Sequence, residues 1–386
     1  MMLRDFALFR AGLAFAGLLC AAMPAPAQDA DDQPIVVAAS PAVEAYIRAR
    51  TAYENVAQAY WKSIADKRRG RFAKRRSGET VTLDDYVLTQ PPVYTGPPRP
   101  PGYVPPHRDP ARPPVPIPTI PEFLKAAQTQ YGFVPDRPTE VEFKQAYAKV
   151  AAAAGLSREQ AVRIYAFETG GNGGYDSQAG MIYTRKNARP ISPAIGYNQL
   201  LSTNTVSLLA QHGDRFMAEL NAQTARLTAT DRKAMDRKLS ALTRMIAFTR
   251  TVPNAWGEHD KLAKFTEGGK GVHAAVLDRD IGPLLQTQKL LDSVVFARTK
   301  GVSRPLSAVE LELMNFTGDG NGFDLVTMPV AVRDRVPTSN FFQRGGYERN
   351  PIARRTGTVA GLFDAIDSKM DRASQLEGAR ALAGAF

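Results

Sequence analysis

A carboxylic acid that donates a proton near neutral pH must be withdrawn from water, and one glutamate in this chain is placed for that. Ser157-x-x-Gln160 forms a capping box. The helix it opens carries Ala161, Ile164 and Tyr165 on one apolar face. Glu168 falls four residues past Ile164 and seven past Ala161, on that same face. It also falls in the last turn, where the backbone carbonyls repel negative charge. Gly170-Gly171 then ends the helix and turns the chain away without side chains in front of Glu168. Burial and the helix dipole both favour the protonated form, the state a general acid needs. The same features also suit a half-exposed glutamate beside a glycine cap, so Glu168 taken alone leaves both readings open.

Its neighbours narrow the choice. Phe167-Glu168-Thr169-Gly170-Gly171-Asn172 resembles the E-S-G-G-N motif of the lytic transglycosylases related to goose-type lysozyme. Ala194-Ile195-Gly196-Tyr197-Asn198-Gln199-Leu200-Leu201-Ser202-Thr203 resembles that family's second motif, A-x-G-L-M-Q-L-M-P-S-T. Leu311 to Gly318 resembles a degraded third motif, A-Y-N-A-G, with Asn315 on the asparagine. The likeness spans about 160 residues, from Ser157 to Gly318. It implies a lysozyme-like domain that cleaves the β-1,4 bond between MurNAc and GlcNAc, with Glu168 protonating the glycosidic oxygen. It further implies that Gly196, Tyr197 and Gln199 form a wall of the sugar groove, Gln199 by hydrogen bonding and Gly196 by close backbone approach, and that Asn315 contributes from the third motif.

The chain departs from the family pattern in three places. The gap between Glu168 and Gln199 is longer, so Tyr175 to Asn187 reads as an added loop over the cleft. Met314 stands where the third motif has tyrosine, and Tyr347, in the Gly345-Gly346-Tyr347 turn, is the candidate substitute. Asp176, in the added loop, is the only acidic neighbour with a claim to be a second catalytic carboxylate. A single carboxyl favours ring closure to 1,6-anhydro-MurNAc over hydrolysis, which requires a second acidic group. The rival class is a non-catalytic wall-binding or structural protein that keeps the fold and groove.

The elements that must position these residues read as helices. The expected fold is mainly α: a lysozyme-like α+β domain with a small hairpin near the cleft, preceded by an N-terminal helix and a proline-rich linker. Ser40-Pro41 opens a helix running to about Asp66, with Tyr46, Tyr53 and Tyr60 as a stripe at seven-residue spacing. The stripe serves helix docking or sugar stacking. The basic run Lys67-Arg68-Arg69-Gly70-Arg71 with Lys74-Arg75-Arg76 reads as a solvated face or a contact for anionic envelope polymers or lipid heads. Fourteen of the twenty-eight prolines lie between Pro91 and Pro121, which defines an extended linker. The resulting division is 28–90 as an N-terminal helical and basic segment, 91–121 as linker, 122–358 as the main domain and 359–386 as a C-terminal helix or tail. The segment before Pro121 is expected to serve placement and to be dispensable for chemistry.

Within the main domain, Thr139-x-x-Glu142 is a further capping box. Ser192-Pro193 starts a short helix, and Gly213 ends one covering Thr205 to His212. Asp214 to Thr249 forms two helices broken near Thr228. Other helices cover Ile281 to Thr299, Ser307 to Met314 and Val359 to Ala373, and Met181 to Thr184 is one arm of the hairpin. Asp319 to Asp324 reads as a glycine-rich turn rather than a calcium loop, because Phe323 occupies a ligand position.

The first residues carry a leader-like pattern: Arg4 and Arg10, an apolar run from Ala11 to Met23, then Ala25-Pro26-Ala27. Cleavage after Ala27 would send the chain to the periplasm or cell envelope; a retained anchor and a lipoprotein at Cys20 are the rivals. Cys20 is the sole cysteine, and the four histidines (His107, His212, His259, His273) lack ligand spacing, so no metal and no cofactor is expected. The net charge of +11 suits an anionic partner or mere solubility. Expected partners are peptidoglycan glycan strands, and nucleic acid is excluded for want of any binding motif.

Overall fold

The computed structural model describes residues 40–104, 116–181 and 188–386. The expected leader, and the expected strand beyond Met181, lie outside them. The first helix, α1 (Pro41–Ser77), starts as its sequence dictates, with the Ser40 hydroxyl accepting from Val43 N and proline in the first turn. It does not stop near Asp66 but runs through the basic segment. Lysine and arginine are good helix formers, and their mutual repulsion is offset by carboxylates placed along the run. Asp66 pairs with Lys62 and Arg69, Asp85 with Lys74, and Asp324 with Arg71 and Arg75. The tyrosine stripe docks the described start of the proline-rich stretch, up to Tyr103, against α1. Tyr60 OH donates to Thr89 O at 2.9 Å, and Tyr46 and Tyr53 meet the rings of Tyr103 and Tyr94 edge-on.

Three helices follow: α2 (Ile120–Tyr131), α3 (Glu140–Ala153) and α4 (Arg158–Thr169), with Thr119, Thr139 and Ser157 at their N-caps. Next come α5 (Ser202–Thr224) and α6 (Ala229–Thr249), parted at the Thr228 cap as expected. Gly213 lies inside α5 instead of ending it. A Cβ there would stand 2.7 Å from the Ile246 side chain, so this glycine lets α5 and α6 close on each other. No helix starts at Ser192-Pro193; the chain turns there, and isolated bridges join Gln178 to Ile195 and Ile195 to Leu200. Among the described residues these bridges and one between Pro337 and Thr358 are the whole of the β structure, so mainly α holds.

The remaining helices are α7 (Trp256–Phe265), α8 (Glu267–His273), α9 (Ile281–Thr299), α10 (Ala308–Thr317), α11 (Asp319–Val326), α12 (Arg344–Arg349), α13 (Pro351–Thr356), α14 (Val359–Ser374) and α15 (Glu377–Ala385). The expected glycine-rich turn is therefore helical: α11 packs on α10, and Asp324 is buried as an ion-pair partner. The expected C-terminal helix from Val359 is present as α14, which lies along α4, and a second helix, α15, follows it against α3 and α4. One hydrophobic core runs from Tyr86, ahead of the prolines, to Leu382 near the C-terminus.

The described part of the N-terminal segment, residues 40–90, is thus joined to the helices around α11 rather than tethered at a distance. Arg71 Nε donates to Asp324 Oδ2 at 2.6 Å with both side chains fully buried, Tyr86 OH donates to Asp324 Oδ1, and Arg68 reaches the carbonyls of Asn340 and Phe342. The reason is electrostatic: a buried aspartate needs charged donors, and α1 supplies them. No helix among the described residues is long and apolar enough to cross a membrane.

Candidate active site

Two helices build the site, side by side and running the same way. Gln160, in the capping box that starts α4, donates from Nε2 to Leu306 O, just before α10. Eight residues on from Gln160 along α4 stands Glu168, and nine on from Leu306 stands Asn315, whose Nδ2 donates to Glu168 Oε1 at 3.0 Å. Glu312 lies three residues before Asn315, on the same face of α10. Met314 points the other way into the core, against α11, where a Cβ on Gly322 would strike it. Met314 therefore leaves the facing surface of α10 to Glu312 and Asn315.

Glu312 is the residue the sequence reading missed. It is fully buried, and no hydrogen bond of good geometry reaches either carboxylate oxygen; the Asn315 amide lies near enough only to oppose in part the rise that burial causes. Glu168 lies within hydrogen-bonding reach, which is attractive only if one carboxyl carries a proton. An unpaired buried anion is costly, so Glu312 keeps its proton: burial, followed by the charge on Glu168, pushes it well above the usual range. Glu168 is half-buried, crowded by protein yet still touching solvent. Burial raises it to about 7, against the opposing influence of a hydrogen bond from Glu312 and the charges of Lys369 and Lys289. The only sequence signal for Glu312 was its i, i+3 spacing to Asn315 in a motif already considered degraded.

Lys369 belongs to α14 and sits 3.7 Å from the centre of the Phe167 ring. Burial lowers its pKa, and the two glutamates oppose that. The glycine pair beyond Glu168 plays two parts. Gly170 is the left-handed helix cap with open space around its Cβ position. Gly171 is not open: with φ +82°, its Cβ would lie 2.3 Å from Ala373 O, so α14 closes where free space was expected. Asn172 Oδ1 then accepts from Gly378 N at the start of α15. Gly171→Ala would combine left-handed strain with a backbone clash and is expected to cost at least ~2 kcal/mol in urea unfolding. A loss below ~0.5 kcal/mol would show that α14 docks elsewhere.

The second motif is packed differently from the sequence expectation. Tyr197 is fully buried; its OH donates to Glu140 Oε1, and its ring meets Phe143, Tyr147 and Tyr165 edge-on. It is a core residue rather than a groove wall, because α3 and α4 both present aromatic rings to it. Gly196 does allow a close approach, but by Gln286: a Cβ would stand 1.9 Å from Gln286 Nε2. Gln199, at φ +42°, spends its amide on the carbonyls of Ser177 and Gly196. Tyr347 is buried against Trp61 and Phe342 and does not replace the missing tyrosine, because its ring closes the seam between α1 and α12. Asp176 is held by Arg137 at 2.7 Å. Of the candidate site residues singled out in the sequence, Asn315 is the one hydrogen-bonded to Glu168.

No group of three potential metal ligands occurs among the described residues. No protein-family model, no curated protein and no solved structure matches the chain.

Proposed function

We propose that the chain is a peptidoglycan lytic transglycosylase with a lysozyme-like catalytic domain, cleaving the MurNAc–GlcNAc bond with Glu168 as acid and then base. The observation that carries this reading is a partly exposed glutamate at a helix end, raised to about 7 and held by Asn315 and Glu312. Near neutral pH such a group is divided between its acid and its conjugate base, and this chemistry uses both. Glu168 gives its proton to the glycosidic oxygen as the C1–O bond breaks. The sugar's own 6-oxygen closes on C1, and its proton passes to the Glu168 carboxylate, leaving a 1,6-anhydro end. During the interval in which Glu168 is an anion, protonated Glu312 and the Asn315 amide hold it in place.

Glu312 does not supply the second carboxylate of a glycosidase. A retaining pair stands about 5 Å apart with the sugar between them. Carboxyls in hydrogen-bonding reach leave no such room, and full burial keeps Glu312 from any sugar. It is a positioning residue, acting through Glu168. Mass spectrometry of a sacculus digest tests the reaction: anhydro ends are expected, and predominantly reducing ends would replace ring closure with hydrolysis. No cleavage at all would favour the rival, a wall-binding protein without turnover; the inward-turned Tyr197 and Gln199 are the observations in its favour.

The pH profile tests Glu312. Cleavage needs protonated Glu168, so activity falls as pH rises through about 7. Glu312→Leu removes the donor that stabilises the Glu168 carboxylate, so the alkaline limb moves to higher pH. Glu312→Gln keeps a donor and is expected to leave the limb near its original place. An unmoved limb in Glu312→Leu, with the fold intact, would remove Glu312 from the mechanism.

A further inference from the structure

Away from Glu168, α1, the stretch after Gln90 and the helices α12 and α13 line an open cleft of about 740 Å³. That is the size of a small-ligand pocket. Its wall carries half-buried rings, Trp61, Tyr53 and Tyr94, together with the guanidiniums of Arg50, Arg354 and Arg355. Arg50 lies over the Tyr53 and Tyr94 rings and is neutralised by Glu54 at 2.6 Å. Arg354 meets only the carbonyl of Glu348, and Arg355 is exposed; among the described residues neither pairs with a carboxylate. The one acidic group on the wall, Glu348, is held by Arg344.

We propose that this cleft is a second carbohydrate site, taking a saccharide unit that bears a carboxylate. The aromatic faces suit the apolar C–H faces of sugar rings, and the two uncompensated guanidiniums suit a carboxylate in bidentate contact. The reading rests on the proposed glycan substrate, whose muramyl units carry carboxylates on the peptide stem, or on the lactyl group itself where the stem has been removed. The site is also linked to the candidate acid by continuous packing. From Phe167, beside Glu168, rings follow in contact through Phe316, Phe342 and Tyr347 to Trp61, at centroid steps between 5.5 and 6.4 Å. A strand long enough to engage both sites binds as a bivalent ligand.

The full chain contains two tryptophans, Trp61 in this cleft and Trp256 on α7. In a Trp256→Phe, Glu168→Gln background, Trp61 becomes the sole indole emitter and no turnover occurs. Titration with a soluble carboxylated muropeptide is expected to change Trp61 emission saturably. Neutral chitotetraose should give at least ~10-fold weaker binding, and Arg354→Ala/Arg355→Ala a similar loss for the muropeptide. No emission change, equal affinity for both sugars, or undiminished affinity without the arginines would each overturn the second site. Because binding is read without turnover, a chain that binds but never cleaves fails only the catalytic reading. A chain that cleaves without a Trp61 response fails only this one.

Discussion

Glu168→Gln is expected to lower sacculus cleavage by roughly 10²- to 10⁴-fold while the protein remains folded. Glutamine keeps the size of the side chain and can still meet Asn315, but it has no proton to give the leaving oxygen. The stability change has a sign that packing alone would not produce. Glu168 titrates near 7 in the folded protein against an ordinary value of 4.5. The folded state thus holds the proton more tightly, and the contribution of Glu168 to stability is lost as pH rises from about 4.5 to about 7. Glutamine does not titrate, so the variant should gain stability relative to the parent across that interval. Turbidity assays and urea unfolding at pH 5 and pH 8 measure the two effects. A variant with near-parental turnover would sink the assignment of the acid.

Arg71→Leu is expected to destabilise the protein by about 3 kcal/mol, since breaking a buried pair costs 3–5 kcal/mol. The lower end applies because Arg75 still reaches Asp324 Oδ1 at 2.6 Å. The loss reflects a fully buried Asp324 deprived of its one fully buried charged donor, not the intrinsic worth of the pair. Arg71→Leu combined with Asp324→Leu should therefore be less destabilised than the two single changes added together. Denaturant unfolding of the four proteins gives the coupling, and a single variant within ~0.5 kcal/mol of the parent would contradict it. The same contacts bear on truncation. A chain starting near Thr119 loses Tyr86 from the core and both arginines from Asp324, and α11, which carries Asp324, packs against the helix holding Glu312 and Asn315. Residues before the prolines are therefore expected to support catalysis through the fold, contrary to the expectation that they are dispensable.

Local signals were legible in the sequence wherever the chain completes its own hydrogen bonds. The capping boxes at Thr139 and Ser157, the Ser40-Pro41 start, the break at Thr228 and the span Ile281–Thr299 all recur in the structure. The first four rest on donors and acceptors within one turn, so a short window carries the information. The placement of Glu168 in the last turn of an amphipathic helix was legible for the same reason. What only tertiary structure decided are pairings between distant residues. Gly213 stays helical because Ile246 fills the space beside it. The basic run continues α1 because Asp324, some 250 residues away, is buried without another charged partner of equal reach. Tyr197 turns inward because α3 and α4 present rings and Glu140 to it. Glu312 becomes the partner of Glu168 because α4 and α10 start together at Gln160 and Leu306 and keep step for two turns. A carboxylate's neighbours set its protonation, and sequence distance does not encode which neighbours folding will bring.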